Sequence, residues 1–441
     1  MTPLHSEGKV ADSNPTPAAP IQINPILPGS VLIAGGGIGG LAAALSLHAE
    51  GIPCVVFEQA ERAQELGVGI NTLPHAIREL AALGLLSALD EAGIRTATLI
   101  YANRWGQPVW TEPRGMAAGH DAPQFSIHRG KLLAVLQAAV AARGIPTQAG
   151  LRLHAFHDDG NRVTAEFRRR DGTAHRAVGT ALVGADGIHS VVRRAFRPDE
   201  GPPSWTGIML WRGAVEWPVF ADGHTMLIAG GMRAKFVLYP IHADPARPGH
   251  RLTNWVVQAR VADGTAPPPR REDWSRPGNL SELLPFVQDT FDLSPLGLVD
   301  PLALIRATGA FYEYPMCDRD PLPRWTQGRV TLLGDAAHPM YPVGSNGASQ
   351  AVLDGRALAR HLATAADVPA ALLAYDEERR PATASIVLTN RRGGPERVID
   401  MVEARSPGRF SDINAVMTHH ERAAIVGGYA SMAGFASAAS P

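Results

Sequence analysis

Residues 30–60 read SVLIAGGGIGGLAAALSLHAEGIPCVVFEQA, and this stretch decides the fold. Val31 to Ala34 is a short apolar run, the pattern of a buried parallel strand. Gly35, Gly37 and Gly40 follow as GxGxxG, and the small and apolar residues Leu41 to Leu47 predict a helix packed tightly on a sheet. Cys54 to Phe57 is a second strand, and it ends at Glu58. Each glycine has a mechanical reason. Gly35 permits the sharp strand-to-helix turn, Gly37 lets a pyrophosphate approach the backbone, and Gly40 lets helix and strand pack closely. The helix start offers free N–H groups and positive dipole to the phosphates. Glu58 lies 23 residues after Gly35, near the spacing of a carboxylate that grips a ribose hydroxyl. A bare GxGxxG is a weak signal, but with strand, helix, second strand and terminal acid in register it predicts dinucleotide binding.

The bulk numbers bound the rest. At 441 residues the chain can bury a large core and suggests two domains or one elaborated one. It is 45% hydrophobic and 19% charged, ordinary for a globular protein. A net charge of −1 gives no basic field for nucleic acid or an anionic membrane. Two cysteines, Cys54 and Cys317, make no disulfide framework, so a reducing cytoplasm is the expected compartment, with Cys54 in the core. Residues 1–29 are rich in Pro, Ala, Ser and Asn and read as a disordered arm. No run of about 20 apolar residues predicts a transmembrane helix.

Further along, Gly67-Val68-Gly69 suggests backbone brought close to something flat or bulky. Residues 74–92 read as one amphipathic helix, and 98–110 as a strand pair turning at Asn103–Gly106. Arg129 opens a helix, where it meets an anion or stands as a surface charge. A second constellation, ALVGADGIHSVVRRAF at 181–196, runs a strand into Gly184-Ala185-Asp186-Gly187 and a helix near Ser190; Asp186 caps that helix or faces a ligand. Residues 208–260 alternate in four runs, which predict an antiparallel sheet laid into the chain as a second domain. Residues 264–278 read as loop, 280–291 as a short helix, and 302–314 as a return to the sheet. The third constellation, at 328–362, ends a strand at Gly334-Asp335 and passes through a Pro- and Gly-rich loop into a small-residue helix. An Asp at that point sits where ligands bind in an open α/β sheet. Residues 370–392 read as a helix restarted at Arg379-Arg380-Pro381, 395–422 as helix broken near Pro407, and 425–441 as a frayed tail.

Taken in order, Gly35 to Gly40 with Glu58, then Gly184-Ala185-Asp186-Gly187, then Gly334-Asp335-Ala336-Ala337-His338-Pro339 resemble the single-component FAD-dependent aromatic hydroxylases, the p-hydroxybenzoate hydroxylase-like flavoproteins. The match runs from Val31 to about Pro381. Finer stretches, among them Trp211-Arg212-Gly213 and Asn346-Gly347-Ala348-Ser349-Gln350-Ala351, resemble the phenazine-carboxylate monooxygenases within that family. The resemblance implies an α/β fold: a Rossmann-like FAD-binding domain with an inserted antiparallel-sheet substrate domain and C-terminal helices. The expected division gives FAD-binding parts at 30–97, 124–200 and 326–392, substrate-domain parts at 98–123 and 201–325, and a C-terminal helix and tail at 393–441.

The resemblance also implies roles. Gly35, Gly37, Gly40 and Glu58 would hold the ADP half of FAD, with Val68 beside it and Arg129 on the pyrophosphate side. Asp186 is similar to the family Asp linked to FAD and, in some members, to NAD(P)H, and Asp335 would bind the ribityl chain. Pro342, Gly344, Asn346, Gly347 and Ala348 would lay backbone against the flavin. No side chain is expected to be catalytic and no metal is expected. NADH or NADPH would reduce FAD, dioxygen would add, and a flavin hydroperoxide would hydroxylate an aromatic or heteroaromatic acid, with or without loss of its carboxylate. Arg212 or Arg114 is expected to pair with that carboxylate, and Trp211, Met226, Tyr239, Trp255 and Tyr314 to wall the pocket. The expected assembly is a monomer or homodimer. Other classes stay open: a dehydrogenase, epoxidase or halogenase on the same scaffold, or a non-catalytic FAD-fold binding protein. Halogenases need a buried Lys, and Lys9, Lys131 and Lys235 sit in no suggestive motif.

Overall fold

The computed structural model describes residues 22–23, 29–61, 68–270, 273–297 and 300–436. Among them, Val31–Ala34 sits inside a sheet ordered Thr326–Gln327, Val330–Leu332, Ala181–Gly184, Val31–Ala34, Cys54–Glu58, Thr147–Ala149. Its pairings are parallel except at the Thr326–Gln327 edge. Val31 pairs with Cys54 on one side and Ala181 on the other, so the first two constellations end at one sheet edge, and Leu182 pairing with Val330 brings the third beside them. Both faces are covered, which is why these strands read as unbroken apolar runs. Helix Ile38–Ala49 packs on one face against helix Gly347–Thr364. The approach is close enough that a Cβ on Gly355 would meet the backbone of Ala43. The meander Arg152–Asp158, Val163–Arg168 and Ala174–Gly179 covers the other face, where Phe167 stacks on Phe57 at 4.0 Å between ring centres.

The second sheet runs Phe311–Asp318, Ser204–Pro218, His250–Arg260, Ala234–His242, Thr225–Ala229, Thr98–Ala102, Pro108–Pro113. It is antiparallel except where Thr225–Ala229 pairs in parallel with Thr98–Ala102. A small sheet of Gly69–Thr72, Gln124–His128 and Gly93–Thr96 joins the two layers.

Several local expectations are corrected. The helix expected over 74–92 is two, Pro74–Ala82 and Leu86–Ala92. Gly84 takes φ +78°, Leu85 N–H bonds back to Leu80 and Gly84 N–H to Ala81, a Schellman stop. Residues 302–314 are not all sheet: Asp300 caps and Pro301 opens a helix, Pro301–Ala307, before the strand at Phe311. Helix Val368–Asn390 runs unbroken through Pro381, which lies on the exposed side, as does Glu377 one turn before it, whose carbonyl loses its intrahelical donor. Gln22–Ile23 pairs beside His175–Arg176 rather than lying in a disordered arm; residues 1–21 and 24–28 lie outside the described residues. The tail is not frayed at 425. Helix His419–Met432 starts in a Thr418/Glu421 capping box and buries Val426 and Tyr429, with Ala433 and Phe435 buried beyond it.

Candidate active site

The GxGxxG turn has the geometry its residues require. Gly35 lies at φ +119°, and a Cβ there would collide with the Ala185 carbonyl. A Cβ on Gly40 would collide with the Gly35 carbonyl, whereas one on Gly37 would meet no protein atom within 4 Å. Gly35 and Gly40 therefore serve packing, and Gly37 keeps open a cleft of about 950 Å³. Glu58 lines that cleft; its carboxylate accepts from Gly36 N–H at 2.7 Å and Ala60 N–H at 2.8 Å. Val68 lines it too and holds the next helix start through Arg129 N–H at 2.9 Å. Gly67 lies outside the described residues.

Two carboxylates face the cleft in different ways. Asp186 Oδ2 accepts from Val191 N–H at 2.7 Å, so it caps the helix, while its buried Oδ1 has no partner and burial pushes the carboxyl up. Asp335 is flanked by buried residues, but its side chain is exposed in the cleft and accepts no hydrogen bond from the described residues. Burial raises its carboxyl as well, opposed by the Arg129 guanidinium across the same cleft.

A second cavity of about 360 Å³ continues from the first, past Arg129, Asp335 and Arg212. One wall is the loop before helix Gly347–Thr364: Pro342, Asn346, Gly347 and Ala348 line it. Gly344 does not. It lies at φ +67°, backs onto the Tyr429 hydroxyl, and gives its N–H to Glu396 at 3.2 Å. Ser345 beside it also takes a left-handed φ, +58°. The last helix pins this loop, since Tyr429 bonds Asn346 at 2.9 Å and Asn390 at 2.7 Å.

The opposite wall is the large sheet. Met226 and Tyr239 line the cavity with Leu210, Ile228, Val237 and Val256, and Tyr314 lines the adjoining cleft. Trp211 and Trp255 do not, which corrects the expected pocket. They sit on the other sheet face, where Trp211 stacks on Phe286 and Trp255 donates to Thr308 at 2.8 Å. Strand alternation is the reason: Leu210, Arg212, Asn254 and Val256 point one way, and Trp211 and Trp255 point the other. Arg212 is half-buried at the junction, donating to the Tyr314 hydroxyl at 3.0 Å and to the Gly69 carbonyl, with its buried Nε unpartnered among the described residues. Asn254 holds Gly69 from the other side, accepting its N–H at 2.6 Å. Arg114 is away from this cavity, bound to Glu112 at 2.7 Å and Gln124 at 2.9 Å.

Comparison with known proteins decides what this architecture is. A family model described as an FAD binding domain matches residues 29–264 and 318–389. "Phenazine 1,6-dicarboxylic acid hydroxylase PhzS" of Lysobacter antibioticus is 46% identical over 376 residues, 84% of this chain and 91% of that protein. The chain belongs to the FAD-dependent aromatic hydroxylases. The "3-hydroxybenzoate 6-hydroxylase" of Polaromonas naphthalenivorans (strain CJ2) is 32% identical over 402 residues, 87% of this chain and 94% of that one. Among solved structures, Klebsiella pneumoniae HpxO complexed with FAD and uric acid shares the fold, with TM-score 0.69 at 21% identity, covering 92% of this chain and 97% of that one.

As an aromatic hydroxylase the chain binds FAD, and its own residues fit that cofactor. The Gly37 opening, the unpaired Asp335 carboxylate and the first amides of helix Gly347–Thr364 lie along one continuous cleft. No described helix is long and apolar enough to cross a membrane.

Two features of this hydroxylase escaped the sequence. His338 Nε2 donates to Asp354 at 2.6 Å, and Arg379 donates to the other oxygen at 2.8 Å. The Asp lies one helix away, so no local motif marks the pair. Lys235 is buried in the second cavity and paired with Glu396. An isolated Lys between apolar strand residues was the available signal.

Proposed function

We propose that this flavoenzyme is an NADH- or NADPH-consuming monooxygenase that hydroxylates an aromatic or heteroaromatic acid in the cavity between the loop at 342–348 and the large sheet. The observation that carries the reading is Arg212, half-buried with a buried Nε–H that has no partner among the described residues, at the junction of a cofactor-sized cleft and an apolar chamber. The names of the relatives, a phenazine dicarboxylate hydroxylase and a hydroxybenzoate hydroxylase, support an acid as substrate. When bound, FAD supplies electron transfer from the nicotinamide and the activation of dioxygen. Gly35, Gly37, Gly40 and Glu58 would hold its adenosine diphosphate half, Arg129 and Asp186 its middle, and Asp335 its ribityl hydroxyls. Gly347 and Ala348, at a helix N-terminus, would aim amide hydrogens at its pyrimidine ring, where they favour negative charge. Arg212 would orient the substrate carboxylate by a charge-assisted hydrogen bond. Leu210, Met226, Ile228, Val237 and Val256 exclude water, which protects a reactive oxygen donor from wasteful breakdown.

The test is a panel of benzoates, pyridine carboxylates and phenazine carboxylates, scored for NADH and NADPH oxidation, product mass and hydrogen peroxide. A product one oxygen heavier, formed with little peroxide, supports the reading. Nicotinamide oxidation yielding peroxide alone with every acid counts against it.

A further inference from the structure

One ion pair in the cavity is not used by the reading above. Lys235, on strand Ala234–His242, and Glu396, at the start of helix Arg397–Arg405, are 3% and 4% exposed, and their charged groups meet. Both line the cavity. Such a pair is poor support for a fold, because desolvating two charges offsets their attraction, and a hydrophobic pair of the same size is often as stable. Its placement points to a ligand instead.

The hydrogen-bond inventory says what kind. An ammonium has three donors. Lys235 has two acceptors among the described residues, Glu396 and the thioether of Met232 at 3.9 Å, itself a weak one. Gln258, opposite Lys235 in the sheet, donates its amide to the Met232 carbonyl at 3.2 Å, and its Oε1 accepts nothing from the described residues. The pole therefore offers one spare donor and two acceptors, Glu396 and Gln258. Lys235 is already neutralised, so an incoming carboxylate would face the Glu396 charge without a free counter-ion. A group bearing both a lone pair and a proton meets no such opposition: it accepts from Lys235 and donates to Glu396.

We propose that Lys235 and Glu396 bind a second, proton-bearing substituent of the aromatic substrate, a ring hydroxyl or an un-ionised carboxyl, at the end of the cavity away from Arg212. The inference rests on the acid-hydroxylase reading. Arg212 pairs across the sheet with Val256, and Val256 with Val237, two residues on from Lys235. Strand spacing and rise then separate the two cations by about 12 Å at the backbone. A flat ring system carrying polar groups at opposite ends spans that distance. The other titratable groups around Glu396 are Asp400 on the following helix turn, Tyr101 on the adjoining strand and Tyr429 on the last helix. Burial pushes all three up, and Asp400 is engaged by Met232 N–H at 2.9 Å, so Glu396 is the carboxylate in contact with Lys235.

The test measures binding to the FAD-loaded full chain by the change in flavin absorbance. The probes are benzoate, 3-hydroxybenzoate and isophthalate, and phenazine-1-carboxylate, its 6-hydroxy derivative and phenazine-1,6-dicarboxylate. Within a series, the hydroxy acid should bind about tenfold tighter than the plain acid. The diacid should take up one proton on binding, so its affinity should fall about tenfold per pH unit above about pH 6. Lys235→Met alone leaves the Glu396 charge buried and unpaired, so the deciding variant is Lys235→Met with Glu396→Leu, which removes both. It should abolish the hydroxyl preference and the proton uptake, both read as ratios between probes on the same protein, so that any change from losing the Glu396 bond to Gly344 N–H cancels. A diacid that binds tightest at every pH would overturn the inference in favour of a simple charge anchor. An unchanged preference in the double variant would overturn it in favour of a structural pair. Either result with the acid panel active leaves the parent reading standing, whereas failure of all six probes with that panel inert overturns both.

Discussion

His338 Nε2 lies 2.6 Å from Asp354 Oδ2, directly beneath the turn that presents Asp335. The same Asp354 oxygen accepts Gly334 N–H at 3.1 Å, and Arg379 holds the other oxygen at 2.8 Å. Burial opposes the Asp354 charge, but His338 and Arg379 outweigh it and hold the carboxyl below the usual carboxylate range. Asp354→Asn should therefore destabilise the protein by about 3–5 kcal/mol, because it leaves Arg379 buried without its counter-ion. With the folded carboxyl depressed, this stabilisation is present above about pH 4 and is lost as pH falls through the folded value. Urea titrations of both proteins across pH should show the gap closing only in strong acid.

Asp335→Ala should weaken FAD binding by roughly ten- to a hundredfold, the range of a charge-assisted hydrogen bond. Asp186→Ala should chiefly cost a helix cap, about 1 kcal/mol of stability. Flavin content after gel filtration separates the two, and equal losses would contradict the division of roles.

The raised Asp335 carboxyl makes an opposite pH signature in the apoprotein. A folded pKa above the unfolded one means the native state holds the extra proton, so this group's contribution to stability falls as pH rises above about 4. Asp335→Asn should gain stability relative to wild type across that window. Melting curves of the two FAD-free proteins at matched pH test the sign.

The two faces of the large sheet should respond differently. Trp255→Ala removes a fully buried indole from the far face and should cost about 3–5 kcal/mol, with the KM of surviving enzyme unchanged. Tyr239→Phe removes a buried hydroxyl beside Arg212 on the cavity face, and should raise KM several-fold while changing stability by only about 1 kcal/mol. Denaturant midpoints and steady-state kinetics on both variants would expose any exchange of these effects.

Tyr429→Phe should loosen the loop at 342–348, since its hydroxyl joins Asn346 and Asn390. We expect about 1–3 kcal/mol lower stability and faster hydrogen exchange at Gly344 to Gly347, measured by mass spectrometry.

The shape of the candidate cradle was legible in the sequence because its parts are local. Gly35, Gly40 and Glu58 act within one strand-turn-helix unit, and the third constellation carries Asp335 at a strand end. The substrate wall was legible only as a sheet. Aromatic bulk suggested Trp211 and Trp255, but a strand shows its two faces one residue apart, and choosing between them needs the neighbouring layer. His338 with Asp354 and Lys235 with Glu396 were hidden for a related reason: each pair joins residues on separate elements, 16 and 161 positions apart. The buried end of the chain was obscured by its Gly, Ala and Ser content. Its helix is fixed by the Thr418 box and by tertiary burial of Tyr429 and Phe435.

Gly35 and Tyr429 stand 394 positions apart, yet one shapes the turn at the first cleft and the other holds Asn346 in the wall of the adjoining cavity. A growing polypeptide can assemble the glycine turn early, but the loop at 342–348 is held by a helix made hundreds of residues later. A ribosome-bound chain stalled before residue 419 should therefore hold flavin more weakly than the full chain.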